Sequence, residues 1–299
     1  MEPKQKTEQD TTVGKEHFVQ KTEYLDEKLQ AYSQTDAYPF HMPGHKRKMH
    51  MSWDADPYTV DITEIEGFDD LHHAEGILKE AQERAARIYH ADETHFLVNG
   101  STAGILSAVM GCTHRGDKIL VARHCHKSIY HAIYMNGLVP RYVYPEFDIS
   151  MHMNGEISKE DVAKALAAEP DIKAVVIVSP NYDGVVSDVK GIAEVAHSYR
   201  IPLIVDEAHG PHFGFHPAFP GRANDLGADV VIQSFHKTLP AMTQTAVLHL
   251  CSERVSEKLI RRFLGIYETS SPSYILMSSL DACVAKLEKD SGRLFDEFT

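Results

Sequence analysis

Aliphatic runs alternating with helical patterns predict an α/β chain, a three-layer α/β/α architecture around a mostly parallel sheet of seven strands. Three observations carry this reading. Runs such as Lys173–Ser179, with AVVIV at its centre, are apolar at nearly every position, as strands covered on both faces are. Most of these runs are followed by a segment of helical periodicity. Polar clusters fall at the carboxyl ends of the runs, where open α/β sheets bind ligands.

Taken in order, residues 1 to about 15 are polar and without periodicity, which predicts a disordered tail. Phe18, Leu25, Leu29 and Tyr32 then recur near helical spacing and predict a short amphipathic helix over Glu16 to Tyr32. The chain therefore divides into residues 1–35, a tail and short helix, and residues 36–299, one large domain. His41-Met42-Pro43-Gly44-His45-Lys46 is a Pro-Gly turn between histidines, and Asp61 to Asp70 an acidic loop. A helix is predicted over Glu75 to His90, with Ile77, Leu78, Ala81, Ala85, Ile88 and Tyr89 on its apolar face.

Strands are predicted at Thr94–Val98, Asp117–Ala122, Val139–Tyr144, Lys173–Ser179, Ile201–Val205, Asp229–Gln233 and Thr245–Leu250. Between and after them, helices are predicted from Asn99–Gly104 to about Cys112, from near His126, and over Ser158–Ala168, Asp188–Tyr199, Glu253–Ile266 and Ser273–Glu288.

Composition narrows the function classes. Hydrophobic residues make up 43% and charged residues 24% of the 299, the proportions of an ordinary globular protein. The net charge of −13, from 30 Lys+Arg against 43 Asp+Glu, argues against a nucleic-acid partner and is compatible with a cationic substrate. No apolar run reaches membrane-spanning length, and the polar N-terminus has no signal-peptide core. Cys112, Cys125, Cys251 and Cys283 are scattered without a CxxC pair, which fits reduced thiols in a cytoplasmic protein.

The chemistry-bearing residues sit at strand ends. Lys237 follows Asp229–Gln233 in Ser234-Phe235-His236-Lys237. Taken singly it is more often a surface lysine, but burial would lower its pKa and make the amine nucleophilic, as a Schiff base with an aldehyde cofactor requires. Asp206 ends Ile201–Val205; such a carboxylate needs a cationic or hydrogen-bonding partner, which a protonated pyridine nitrogen supplies, or it caps the following turn. Asn99-Gly100-Ser101-Thr102 joins a strand to a helix start, either a phosphate cradle or a plain N-cap. His126 is a ring-stacking histidine or a metal ligand, and Ser234 and His236 flank the lysine within reach of a phosphate. Together these describe a pyridoxal-phosphate site.

The chain also resembles the Orn/Lys/Arg decarboxylase family, basic amino-acid decarboxylases of PLP fold type I. The resemblance rests on FHMPGHK (40–46), FDDLHHAEG (68–76), NGSTAG (99–104), HCHKS (124–128), VDEAHGPH (205–212), SFHK (234–237) and TSSPSY (269–274), in family order. It implies that residues 36–299 are a PLP-binding large domain, with Lys237 as the Schiff-base lysine and Asp206 as the partner of the pyridine nitrogen. It places His126 on the ring, Ala208 under it, His209 nearby, and Ser101, Thr102, Ser234 and His236 on the phosphate, with no metal. His41 and His45 fall near the site mouth, and Thr269-Ser270-Ser271 reaches a site across a subunit interface. The implied reaction is decarboxylation of arginine, lysine or ornithine to a polyamine-pathway amine by a homodimer or higher homo-oligomer. Family members continue into a small C-terminal domain, so a chain stopping at Thr299 is expected to lack it. An aminotransferase or lyase, a metal-dependent hydrolase using His124, His126, Asp206, His209 and His212, and a truncated PLP-binding protein without activity are the competing readings.

Overall fold

Alternate side chains of each strand enter different apolar cores, and the sheet between them organises the molecule. The computed structural model describes residues 25–48, 56–297 and 299. Strands lie at Glu93–Leu97 (β1), Lys118–Ala122 (β2), Val139–Val143 (β3), Phe147–Asp148 (β4), Met153–Asn154 (β5), Ile172–Val178 (β6), Leu203–Asp206 (β7), Val230–Gln233 (β8) and Ala246–Leu250 (β9). Seven of them form one sheet in the order β1-β9-β8-β7-β6-β2-β3, and β4 and β5 make a separate hairpin. Within the seven-stranded sheet every pairing is parallel except those of β9, which is antiparallel to β8 and β1. Parallel neighbours need a crossover. The return from β8 to β9, residues 234–245, holds a single helical turn and reverses the chain.

The helices are Leu25–Ser33 (α1), Pro57–Val60 (α2), Ile77–Tyr89 (α3), Gly100–Cys112 (α4), Lys127–Asn136 (α5), Lys159–Ala168 (α6), Val189–Ser198 (α7), Phe235–Thr238 (α8), Glu257–Tyr267 (α9) and Tyr274–Asp296 (α10). The chain divides into two units, Met1–Tyr38 and Pro39–Thr299. In the first, α1 coincides with the latter part of the helix predicted over Glu16 to Tyr32, and none of its residues is buried. The predicted tail and Phe18 lie outside the described residues.

The seven predicted strands are all present, and the sheet is mostly parallel as expected. Ile119, Val121, Val176 and Ile204 meet α4, α5 and α9 in one core. Leu120, Val175, Ile177, Leu203 and Val205 meet α6 and α7 in another. A third joins α3 and α10 to Phe96, Phe235 and Val247. The limits shift for local reasons: β7 starts at Leu203 because Pro202 lacks an N–H. The two-residue strands β4 and β5 are too short to leave a periodic signal.

Close helix packing rests on Gly111. A Cβ there would run into Ile260 Cδ1 and stand 3.2 Å from the Ile260 backbone nitrogen. Gly111→Val should therefore separate α4 from α9 and cost about 1–3 kcal/mol, read as a lower urea midpoint at unchanged slope.

Candidate active site

The polar residues predicted at the strand ends converge at the carboxyl ends of β7 and β8. Asp206 is the last residue of β7, paired with Val178 on one side and Ile232 on the other, and is only 3% exposed. Its Oδ1 accepts the Ala208 N–H at 3.1 Å, and Ala208 is itself buried. Burial raises Asp206 to about 6, while Lys237 and the Ala208 N–H act downward.

Lys237 stands on the single turn α8, held from below by fully buried Phe235. Half-buried itself, Lys237 has a pKa lowered by desolvation, with Asp206 acting in the opposite direction. Its Nζ lies 2.9 Å from His209 Nε2. His209 is held down to about 4 by burial, then by Lys237, His126 and His236. It is therefore neutral near pH 7, and the lysine donates to its ring.

His126 caps the start of α5. Its Nδ1 accepts the Ser128 N–H at 3.3 Å, which leaves the ring proton of the neutral form on Nε2. Partial burial and then Lys237 lower its pKa, although the residue is exposed. His236 lies 2.8 Å from the Thr245 carbonyl through Nδ1, so that nitrogen carries the proton.

The predicted cradle also closes up. Gly100 has φ +73°, which suits glycine, and opens α4. The Ser234 hydroxyl donates to Ser101 Oγ at 2.9 Å although the two are 133 residues apart. Thr102, one residue on, is exposed.

The FHMPGHK segment packs against the lysine turn: the Gly44 N–H bonds the His236 carbonyl at 2.8 Å, and a Cβ on Gly44 would stand 2.6 Å from Leu239 O. His45 Nδ1 accepts the Arg47 N–H at 3.0 Å, and His41 is exposed. Thr269 is half-buried and Ser270 and Ser271 are exposed on the α9–α10 connection. His124 and His212 are half-buried; His212 Nδ1 lies 3.1 Å from Thr238 Oγ1, on the lysine turn. Among the described residues, no three His, Cys, Asp or Glu side chains converge as metal ligands.

Sequence reasoning missed the buried polar row under the site. Glu207 takes the Gln233 amide N–H at 2.6 Å and the Ala223 N–H at 2.9 Å. Gln233 Oε1 lies 3.2 Å from His249 Nε2, and His249 Nδ1 lies 2.7 Å from Thr94 Oγ1. Burial lowers His249 to about 3, so the ring is neutral. It donates to Gln233 and accepts from Thr94, giving each member of the row a partner. Burial pushes Glu207 up to about 8, against the pull of Gln233 and the Ala223 N–H. Only the polar Gln233 and His249 inside apolar strands hinted at this row.

Comparison with known proteins gives one consistent direction. The family described as Orn/Lys/Arg decarboxylase, major domain, matches residues 24–297. An uncharacterized Bacillus subtilis protein, YaaO, is 43% identical over 263 residues, 86% of this chain and 55% of that protein. The arginine decarboxylase of Bacillus subtilis is 37% identical over 275 residues, 90% of this chain and 56% of the enzyme. Lysine decarboxylase A from Pseudomonas aeruginosa superposes with a TM-score of 0.71 at 27% identity, covering 91% of this chain and 41% of that one. The chain thus spans a little over half the length of these curated relatives.

The raised pKa of Asp206 sets an expectation for stability. Moving a carboxyl from 3.8 to about 6 destabilises the folded chain by up to about 3 kcal/mol at neutral pH. Because the folded value exceeds the unfolded one, the penalty is absent below about pH 4, grows up to about pH 6 and is constant above. Asp206→Asn should stabilise the cofactor-free chain by an amount of that order at pH 7 and by almost nothing at pH 4. Paired urea titrations at the two pH values check this.

Proposed function

Because the chain belongs to the Orn/Lys/Arg decarboxylase family, we propose that it binds pyridoxal 5'-phosphate at Lys237 and releases CO2 from arginine, lysine or ornithine. The observation that carries this reading is the buried Asp206 beside a half-buried Lys237 whose amine donates to neutral His209. The donor set fits the cofactor. Asp206 is a buried carboxylate suited to a cation. The hydroxyls of Ser101 and Ser234 touch at the start of α4, whose free N–H groups suit a phosphate. Lys237, Asp206, His126, Ala208 and His209 hold the ring, and Ser101, Thr102, Ser234 and His236 the phosphate.

When bound, pyridoxal phosphate supplies an electron sink for the pair left at Cα as CO2 departs. This chain's residues do the rest. Asp206 keeps a proton on the ring nitrogen. His126, whose Nδ1 is fixed by the Ser128 N–H, would hold the plane of the ring. Lowered in pKa by burial, Lys237 has its amine available as a nucleophile. With Lys237 and His209 sharing a proton along a 2.9 Å line, the pair returns one to Cα. Gly44 against the lysine turn limits its movement. A net charge of −13 favours approach of a cationic substrate.

The same reading makes the protein a cytoplasmic homodimer or higher homo-oligomer in polyamine biosynthesis. Four free cysteines support the compartment, and the exposed Ser270 and Ser271 are available to a partner's site.

Supplied with pyridoxal phosphate, the purified chain should release labelled CO2 from at least one carboxyl-labelled basic amino acid. Lys237→Ala should release none, and borohydride reduction of the wild type should leave the cofactor on the peptide bearing Lys237. An adduct at Lys237 without CO2 from any of the three would leave a cofactor-binding chain and remove the decarboxylase reading. No adduct would remove both.

A further inference from the structure

The outer edge of β1 opens onto a cavity of about 440 Å³ that is lined by none of the residues assigned to the cofactor. This is the size of a small-molecule pocket. Walls come from α3, β1 and α9, and Glu268 lies just beyond α9. On this edge, side chains stand in for a further strand. Gln82 takes the Phe96 N–H at 3.0 Å, and Glu268 Oε2 takes those of Val98 and Asn99 at 3.0 and 3.1 Å.

Glu268 is only 7% exposed, yet its Oε1 has no hydrogen-bond partner among the described residues. A buried acceptor left unpaired is destabilising, and more so when charged, so this atom calls for a donor. Around it Phe96, Leu264 and Ala86 form an apolar floor. The remaining charged lining is Glu83, Asp92 and Glu93 against Lys79 and Arg261. Arg261 is already engaged by Glu93 at 3.0 Å and Glu257 at 2.7 Å. With Glu268 included, acid outweighs base in the lining, which disfavours an anion.

We propose that this cavity is a second small-molecule site that binds an alkylammonium ion. Its N–H donors satisfy Glu268 Oε1 and its hydrocarbon part packs on Phe96, Leu264 and Ala86. An uncharged alcohol can donate to Oε1 but gains nothing from the surrounding carboxylates. Burial raises Glu268 to about 7 against the pull of the Val98 and Asn99 N–H groups, and a bound cation favours its ionised form. The same carboxylate holds the Asn99 N–H, two residues before Ser101, and so connects the cavity to the cradle turn. The site stands on its own geometry and does not depend on the reaction at Lys237.

Isothermal titration of the full chain with n-butylammonium chloride at low ionic strength, with 1-butanol as the uncharged twin, tests this. One saturable n-butylammonium site is expected, with 1-butanol at least about tenfold weaker. Glu268→Gln and Ala86→Leu should each weaken n-butylammonium by a similar factor, and Lys237→Ala should leave it unchanged. Ala86→Leu fills the cavity from α3 and leaves the carboxylate intact, so it decides the matter if Glu268→Gln does not fold. Undiminished binding in folded Ala86→Leu, loss in Lys237→Ala alone, equal binding of 1-butanol, or no saturable binding would each overturn the site.

Discussion

Burial of the Asp206 carboxylate at the end of β7 is the constraint around which the upper face of the sheet is arranged. Its flanking partners, Val178 and Ile232, are apolar, so little from the neighbouring strands compensates its charge. The opposing charge comes from Lys237, carried one strand over on α8. Two charges in a low-dielectric setting interact far more strongly than in water. Parallel adjacency of β7 and β8 therefore has an electrostatic consequence as well as a packing one. Phe235, sunk in the core between α3 and α10, ties the position of the lysine to the hydrophobic core.

Around this pair the histidines stay neutral. His209, His126 and His236 all lie below their ordinary values, with burial as the largest cause and Lys237 adding to it. Backbone groups then orient two of the three rings: the Ser128 N–H leaves Nε2 of His126 protonated, and the Thr245 carbonyl does the reverse to His236. Oriented neutral rings around one amine give a site able to relay protons without accumulating positive charge.

Beneath the site, the row Glu207–Gln233–His249–Thr94 runs from the residue just after β7 across β8 and β9 to β1 in the interior of the protein. Polar groups this deep are tolerated only when each finds a partner, and here each does. The directions are mutually consistent: a neutral His249 donates to an amide oxygen and accepts from a hydroxyl, while the amide N–H group reaches Glu207. The row links β8, β9 and β1 by side-chain hydrogen bonds and ties them to the backbone just after Asp206.

The sequence by itself determined the elements and the neighbourhood of the site. Aliphatic runs identified seven strands, and the clusters around Asp206, Lys237 and Ser101 stood at strand ends because β-strand periodicity and turn chemistry are local properties. Burial on both faces could be read from Lys173–Ser179 because a strand covered twice has no polar alternation. Tertiary structure alone decided which polar atoms meet. Ser234 reaches Ser101 across 133 residues, Lys237 reaches His209 across 28, and Glu268 reaches Val98 across 170. Antiparallel β9, the seating of Gly44 on the lysine turn and the partners of Glu207 belong to the same class. Local patterning sets a residue's conformation and which face it buries. Its hydrogen-bond partner and charge state depend on atoms that only folding brings within about 3 Å.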